Sequence, residues 1–139
     1  MGTRCFVGVH QPGADTATVR YVHSDGTPNY IVPTLRSIWR HTVGGDTTAL
    51  VTGLVAHTWS YLGADVTAGT ATWDDERPVP GFGMAMGTIP DAEAATIALD
   101  ELTALDVAWV YLIDPDADVV AVHHAGSGAE PVARHRLTG

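Results

Sequence analysis

Two apolar stretches near the C-terminus, "VAWVYLI" and "VVAVHH", limit the possible folds more than any other part of the chain, and "DPDAD" separates them. Both are rich in β-branched and aromatic residues, and the segment between them has the aspartates and proline of a turn, so together they predict a β-hairpin. Apolar residues fill consecutive positions in both strands, as in strands buried on both faces. We therefore expect this hairpin in the middle of a sheet that helices cover.

A second hairpin is predicted near the N-terminus. Residues 3–10 ("TRCFVGVH") and 18–23 ("TVRYVH") are β-rich, and the loop "QPGADTA" separates them. If the two strands pair symmetrically about this loop, one face of the hairpin carries Cys5, Val7, Val9, Val19, Tyr21 and His23.

Three helices are predicted between the hairpins. The first covers residues 33–43, where apolar residues recur at helical spacing after Pro33 and Gly44-Gly45 supplies a stop. Asp46 is a suitable N-cap for the second helix, whose apolar stripe reaches Trp59. The third follows a capping box at residues 88–91, and its apolar face carries Ala95, Leu99, Leu102 and Leu105.

The segment between the second and third helices has a weaker pattern. Residues 70–73 are consistent with a strand, and residues 74–87 are charged and rich in proline and glycine, which predicts a loop. A chain of 139 residues has room for one ordinary core. The predicted fold is therefore one α+β domain over residues 1–125, with a flexible tail over 126–139. Its sheet is mainly antiparallel, is built from the two hairpins and is covered by about three helices.

Composition restricts the setting of the protein. Hydrophobic residues make up 45% of the chain and charged residues 17%, which is typical of a packed domain and not of a disordered one. The apolar stretches are shorter than the roughly 20 residues of a membrane helix, and the N-terminus lacks the apolar core of a secretory signal. We expect a cytoplasmic protein without membrane contact. Cys5 is the single cysteine, which excludes an intramolecular disulfide and a four-cysteine zinc site.

Charge is distributed unevenly along the chain. The net charge is -9, yet residues 1–41 carry four arginines and two aspartates, whereas residues 42–139 carry three arginines and fourteen acidic residues. So acidic a protein repels phosphate backbones, which argues against direct nucleic-acid binding. A small anionic ligand should prefer the N-terminal third.

That third contains the residues of the predicted binding site. Arg36 and Arg40 lie four residues apart on one helix, and Arg4 and Arg20 come from neighbouring strands. Guanidinium groups donate paired hydrogen bonds to phosphate. The candidate ligand-binding residues are Arg4, Arg20, His23, Asp25, Asn29, Tyr30, Arg36 and Arg40. The alternative is that these arginines only balance the acidic third helix.

The spacing His23-x-Asp25 is also that of two iron ligands in 2-oxoglutarate oxygenases. His124 would then correspond to the third iron ligand and Arg134 to the arginine that binds the substrate. Those enzymes need a double-stranded β-helix, and residues 33–59 are predicted to be helical. Asp25-Gly26 is better explained as a turn in which Gly26 takes a positive φ. The aspartates of "DPDAD" have calcium-loop spacing but lack the glycine and glutamate of such a loop. We therefore predict no metal and no cofactor.

Four segments carry a resemblance to a known family: "MGTR", "RYVHSDGTP", "TLRSIW" and "AWVYLID". They resemble a family of small uncharacterised proteins from bacteriophages and actinobacteria, which typically begin Met-Gly-Thr-Arg and carry an aspartate-glycine-aromatic-proline turn before a helix. This chain has Ser24 where an aromatic residue is common and Thr27 where tyrosine is usual. The resemblance implies no activity. Its phage association suggests small proteins that sequester nucleotide signals of host immunity.

Three functional hypotheses follow. The first is a non-enzymatic binding protein, such as a phage-type sequestering or anti-defence factor, for a small phosphorylated ligand or a host protein. The second is a small hydrolase or nucleotide-processing enzyme that uses His23 as base and Asp25 as orienter. The third is an acidic DNA mimic. The chain has no serine in a nucleophile elbow, which favours binding over catalysis. The residues leave open whether it forms a homo-oligomer.

Overall fold

A mixed β-sheet forms the body of the protein in the computed structural model, which describes residues 3–11, 13–73, 75–86, 95–104, 107–125 and 130–138. The strands are β1 Cys5–Val9, β2 Thr16–Val22, β3 Trp59–Leu62, β4 Glu76–Val79, β5 Gly83–Met86, β6 Ala95–Ala98, β7 Trp109–Asp114, β8 Val119–His124 and β9 Ala133–Arg136. The helices are α1 Pro28–Ser37 and α2 Thr47–Val55, with a π-helical turn over Ile38–Thr42 and a 3₁₀ helix over Leu99–Ala104. No helix in these ranges is long and apolar enough to cross a membrane.

The nine strands of the described ranges form one sheet in the order β4-β5-β3-β2-β1-β7-β8-β9, and β6 also pairs with β2. Both predicted hairpins are present, as β1–β2 and β7–β8, so the α+β class is confirmed. The antiparallel description is imprecise, because β1 runs parallel to β7 and β2 runs parallel to β3. The pairing of β2 with β3 is parallel because α1 and α2 form the crossover between these strands.

The register of the N-terminal hairpin differs from the predicted one. Cys5 pairs with Val22 and Val7 with Arg20, so these four residues share the face that α1 and α2 cover. Tyr21 lies on the opposite face. The predicted grouping of Cys5 and Val7 with Val19, Tyr21 and His23 is therefore wrong. A shift of one residue in the register exchanges the two faces of a strand.

The main core lies between the sheet and the helices. Its fully buried side chains include Leu35, Leu50, Leu54, Trp59, Tyr111, Ile113 and Leu137. A smaller cluster on the other face contains Ala17, Val19, Val107, Val110 and Leu112. Strand β7 therefore buries consecutive residues on both faces, as its apolar sequence predicts. Each fully buried large apolar side chain stabilises the fold by about 1.5–3 kcal/mol.

The first two helices are present with different boundaries. Helix α1 begins at Pro28, where the N–H that proline lacks would have no intrahelical acceptor, and Pro33 lies inside the helix and not at its start. Gly44 and Gly45 have φ of 60° and 86° and end the helical segment as predicted. Asp46 accepts a hydrogen bond from the Ala49 backbone N–H at 3.1 Å, which confirms the predicted N-cap of α2.

The predicted third helix is wrong where the structure describes it. Residues 95–98 form β6, which pairs with residues 16–19 of β2, and a short 3₁₀ helix follows. The capping box at residues 88–91 lies outside the described residues. The strand predicted over residues 70–73 is not formed. The predicted loop instead contains the β4–β5 hairpin, where backbone pairing with β3 and burial of Met84 outweigh a weak β propensity.

The predicted tail also belongs to the domain over residues 130–138. Strand β9 pairs antiparallel with β8, and the Leu137 N–H donates to the Asp118 carbonyl at 2.8 Å. The Leu137 side chain is fully buried in the main core. Residues 126–129 and 139 lie outside the described residues. The boundary predicted at residue 125 is therefore placed too early.

Candidate functional site

The segment that follows β2 is attached to the neighbouring strand. The backbone N–H of His23 donates to the Trp59 carbonyl at 3.0 Å, and that of Ser24 donates to the Ser60 carbonyl at 2.9 Å. These bonds continue the parallel pairing of β2 and β3. They bring the His23-x-Asp25 sequence beside residues that lie more than 30 positions later in the chain.

The turn itself is held against the core. Asp25 has a φ of 58°, whereas Gly26 does not have a positive φ, so the predicted role of Gly26 is wrong. A Cβ on Gly26 would lie 2.6 Å from the Thr3 carbonyl oxygen and 3.0 Å from the Cys5 Cβ. Glycine is therefore required by close packing. The Tyr111 hydroxyl donates to the Gly26 carbonyl at 2.6 Å, which connects the turn to the main core.

A cleft of three adjoining cavities opens at this turn. The largest, of about 570 Å³, is lined by His23, Ser24, Asp25, Ser60, Tyr61, Ala71, Trp73 and Glu76. The second, of about 240 Å³, shares Asp25 and Tyr61 with the first and adds Tyr30, Asp65, Val66 and Thr70. The third, of about 390 Å³, shares Tyr30 and Asp65 with the second and includes Asn29. We call these three cavities together the β2–β3 cleft.

The cleft is acidic. Burial raises the pKa of Tyr61, and the carboxylates of Glu76, Asp65 and Asp25 raise it further. Burial also raises the pKa of Tyr30; a hydrogen bond with Thr34 opposes this rise, and Asp25 and Asp65 add to it. Asp25 and Asp65 therefore act on both phenol groups, and Glu76 acts on Tyr61. Among the described lining residues, His23 is the one basic side chain.

Aromatic surface accompanies the carboxylates. The Trp73 side chain is 83% exposed although it lines the largest cavity, and its backbone N–H donates to Glu76 Oε1 at 3.0 Å. The Tyr21 hydroxyl and His23 Nδ1 form a hydrogen bond of 2.9 Å, which orients the imidazole. An exposed indole beside carboxylates can contact a cation through its face.

Arg20, which was predicted to bind a ligand, has a structural role. It is 7% exposed, and its Nε donates to the Val55 carbonyl at 2.7 Å. Its terminal nitrogens lie 3.3 Å from the Ala56 carbonyl and from the Thr58 hydroxyl. The guanidinium thus satisfies carbonyls at the C-terminus of α2, where a positive charge is favourable.

The other predicted arginines do not join Arg20. Arg36 Nε donates to the Arg136 carbonyl at 2.9 Å, on the edge strand β9, which β1, β7 and β8 separate from β2. Arg4 and Arg40 are exposed, before β1 and in the π-helical turn respectively. The expected convergence of arginines on one patch is therefore not found for Arg20 and Arg36. Four of the other predicted residues do meet, and these are His23, Asp25, Asn29 and Tyr30.

Several cleft residues were not predicted as site residues, because the second helix was predicted to reach Trp59 and no strand was predicted after it. These are Ser60, Tyr61, Asp65, Trp73 and Glu76. The sequence "WSYLG" offers one signal, because a short β-rich stretch that ends at a glycine is typical of a strand. No local pattern indicates that this strand pairs with β2.

The predicted base and orienter are not paired. His23 Nδ1 contacts the Tyr21 hydroxyl, and Asp25 forms no hydrogen bond with His23. Cys5 is fully buried, and burial raises the pKa of its thiol, which makes it a poor nucleophile. No group of three or more His, Cys, Asp or Glu side chains in the described ranges could hold a metal ion.

The chain matches no protein-family model, no curated protein and no solved structure.

Proposed function

We propose that this chain is a non-enzymatic binding protein and that its β2–β3 cleft holds a ligand with a positively charged amine or guanidinium group. The observation that carries the proposal is the set of three carboxylates, from Asp25, Asp65 and Glu76, around Tyr61. Carboxylates accept short, charge-assisted hydrogen bonds from such groups. The exposed face of Trp73 adds a surface that attracts cations.

The same carboxylates disfavour the phosphorylated ligand that the sequence suggested for this region. A phosphate in the cleft would meet Asp25, Asp65 and Glu76, and no arginine is among the described lining residues. Like charges at contact distance repel each other strongly in a partly desolvated site. A cation therefore fits the cleft better than a nucleotide.

The hydrolase hypothesis has less support than binding. A base and its orienter need a hydrogen bond between them, whereas the described bond of His23 Nδ1 is with Tyr21. Binding without chemistry is compatible with the sequestering role that the resemblance to phage proteins suggests. The cation in that case is either a small free molecule or the basic side chain of a host protein.

Calorimetric titration with arginine amide, spermidine and an arginine-containing peptide tests the proposal. We expect saturable binding and little heat with AMP or ADP-ribose. Glu76→Gln should weaken binding about fivefold to tenfold, because it removes one charge and keeps the acceptor for the Trp73 N–H. The matched control is Asp116→Asn, which removes an exposed carboxylate in the β7–β8 turn.

Comparison of the free amines with the peptide distinguishes a small-molecule ligand from a protein partner. A peptide that binds far better than the free amines indicates a protein partner, and equal binding indicates a small molecule. Preferential binding of nucleotides, or equal losses in Glu76→Gln and Asp116→Asn, would show that the proposal is wrong. Recovery of a chemically changed ligand would favour the hydrolase, and displacement of DNA from a basic protein would favour the DNA mimic.

A further inference from the structure

A separate cavity of about 190 Å³ lies on the sheet face opposite α1 and α2. Its lining includes His10, Ala121, His123, Glu130 and Arg134. His123 pairs with Val110, and Ala121 pairs with Leu112 on one side and Arg134 on the other. Val110 and Leu112 belong to the core cluster of this second face. The pairing therefore places His123 and Arg134 on the same face of adjacent strands.

His123 is the unusual group in this cavity. It is 5% exposed, and its Nδ1 has no hydrogen-bond partner among the described residues. A buried N–H without a partner is rarer than an acceptor without one, which favours the tautomer with the proton on Nε2. With this tautomer, Nε2–H is the donor that the imidazole has for a ligand in the cavity that it lines.

The neighbours of His123 carry charges of both signs, because Arg134 is cationic and Glu130 is anionic. Arg134 forms no hydrogen bond or ion pair with a described residue, and its guanidinium can donate two parallel bonds. His10 Nε2 lies 2.8 Å from the Ala14 carbonyl, which fixes the ring at the edge of the cavity. Burial lowers the pKa of His123, and the charges of His10 and Arg134 lower it further, whereas Glu130 raises it.

We propose that this cavity binds a small oxyanion of the phosphate or carboxylate class, with Arg134 and the Nε2–H of His123 as donors. Its volume equals that of about six water molecules, which suits a single phosphate or carboxylate group. The site is distinct from the β2–β3 cleft, with which it shares no lining residue. The result of a test for anion binding therefore does not bear on cation binding in the β2–β3 cleft.

Calorimetric titration of the full chain with inorganic phosphate, at constant ionic strength, tests the proposal, and acetate serves as the second probe. Arg134→Gln should weaken phosphate binding about tenfold or more, because it removes a charge-assisted pair of hydrogen bonds. Arg136→Gln is the matched control, since it removes the same charge two residues later on β9 without lining the cavity. Its binding should stay within about twofold of the parent. Tighter binding of phosphate or of acetate identifies the anion class.

A second measurement tests the role of His123 without a variant. Long-range ¹H–¹⁵N NMR spectra should show the Nε2–H tautomer, with a shift of the His123 signals on addition of phosphate. Absence of saturable binding of both anions, equal losses in the two arginine variants, or an Nδ1–H tautomer would each overturn the proposal.

Discussion

Single residues in this protein are constrained by packing in ways that their type does not reveal. Asp25 adopts the left-handed conformation that costs a non-glycine residue on the order of 1–2 kcal/mol, while the adjacent Gly26 does not. The hydrogen bonds of His23 and Ser24 to β3 and of Tyr111 to Gly26 hold the turn in place. The strained residue is also one of the three carboxylates of the β2–β3 cleft.

His123 should make stability depend on pH. Its pKa lies below the ordinary value of 6.5, mainly because of burial, so the unfolded chain takes up this proton at a higher pH than the folded chain does. Its contribution to the free energy of unfolding is therefore complete above about pH 6.5 and is lost as the pH falls toward the folded pKa. Urea unfolding across this range, in buffer without phosphate, measures the decline.

The variant His123→Phe should remove that part of the pH dependence, because it has no group to protonate. His124→Asn changes the exposed neighbour and should retain the decline. An identical decline in both variants would contradict the assignment to His123.

At the level of elements, α2 depends on a strand residue for its C-terminal end. Arg20, on β2, satisfies the carbonyls of Val55 and Ala56, while Asp46 caps the N-terminus. Leu50 and Leu54 are fully buried against the sheet. The helix is thus stabilised at both ends and along its inner face.

Replacement of Arg20 by methionine tests this arrangement. Arg20→Met preserves most of the side-chain volume but leaves two carbonyls without their donor, which should lower the free energy of unfolding by about 1–3 kcal/mol. Arg40→Met, at an exposed position of the π-helical turn, should change it by less than about 0.5 kcal/mol. Equal effects in chemical denaturation would show that Arg20 does not stabilise α2.

At the level of the whole molecule, both ends of the chain enter one sheet. The N-terminal strand β1 lies between β2 and β7, and the C-terminal strand β9 completes the far edge. The buried Leu137 joins the core formed by α1, α2 and the central strands. Residues 130–138 therefore contribute to the stability of the entire domain.

Leu137→Ala should lower the free energy of unfolding by about 2–5 kcal/mol, because it leaves a cavity in the main core. Val132→Ala, where the side chain is 52% exposed, should have an effect below about 0.5 kcal/mol and serves as the control. Thermal unfolding of both variants measures the difference. A flexible tail, as the sequence suggests, would instead make the two variants equivalent.

The features that were predictable from sequence depend on neighbours only a few positions away. The two hairpins, the Asp46 cap and the stop at Gly44-Gly45 belong to this group. Their physical causes are turn chemistry, capping and the spacing of apolar residues, and each acts within a few residues. Local sequence therefore specified these elements and the α+β class.

Tertiary structure alone decided the composition of the cleft. The pairing of β2 with β3, of β3 with β5 and of β5 with β4 brings Asp65 and Glu76 to the cleft that Asp25 lines, across 40 and 51 positions of the chain. Long-range contacts also buried Arg20 against the C-terminal end of α2, and pairing with β2 turned residues 95–98 into a strand. Such pairings form because backbone hydrogen bonding and apolar burial across the whole sheet exceed local preference, and a short sequence window contains neither partner.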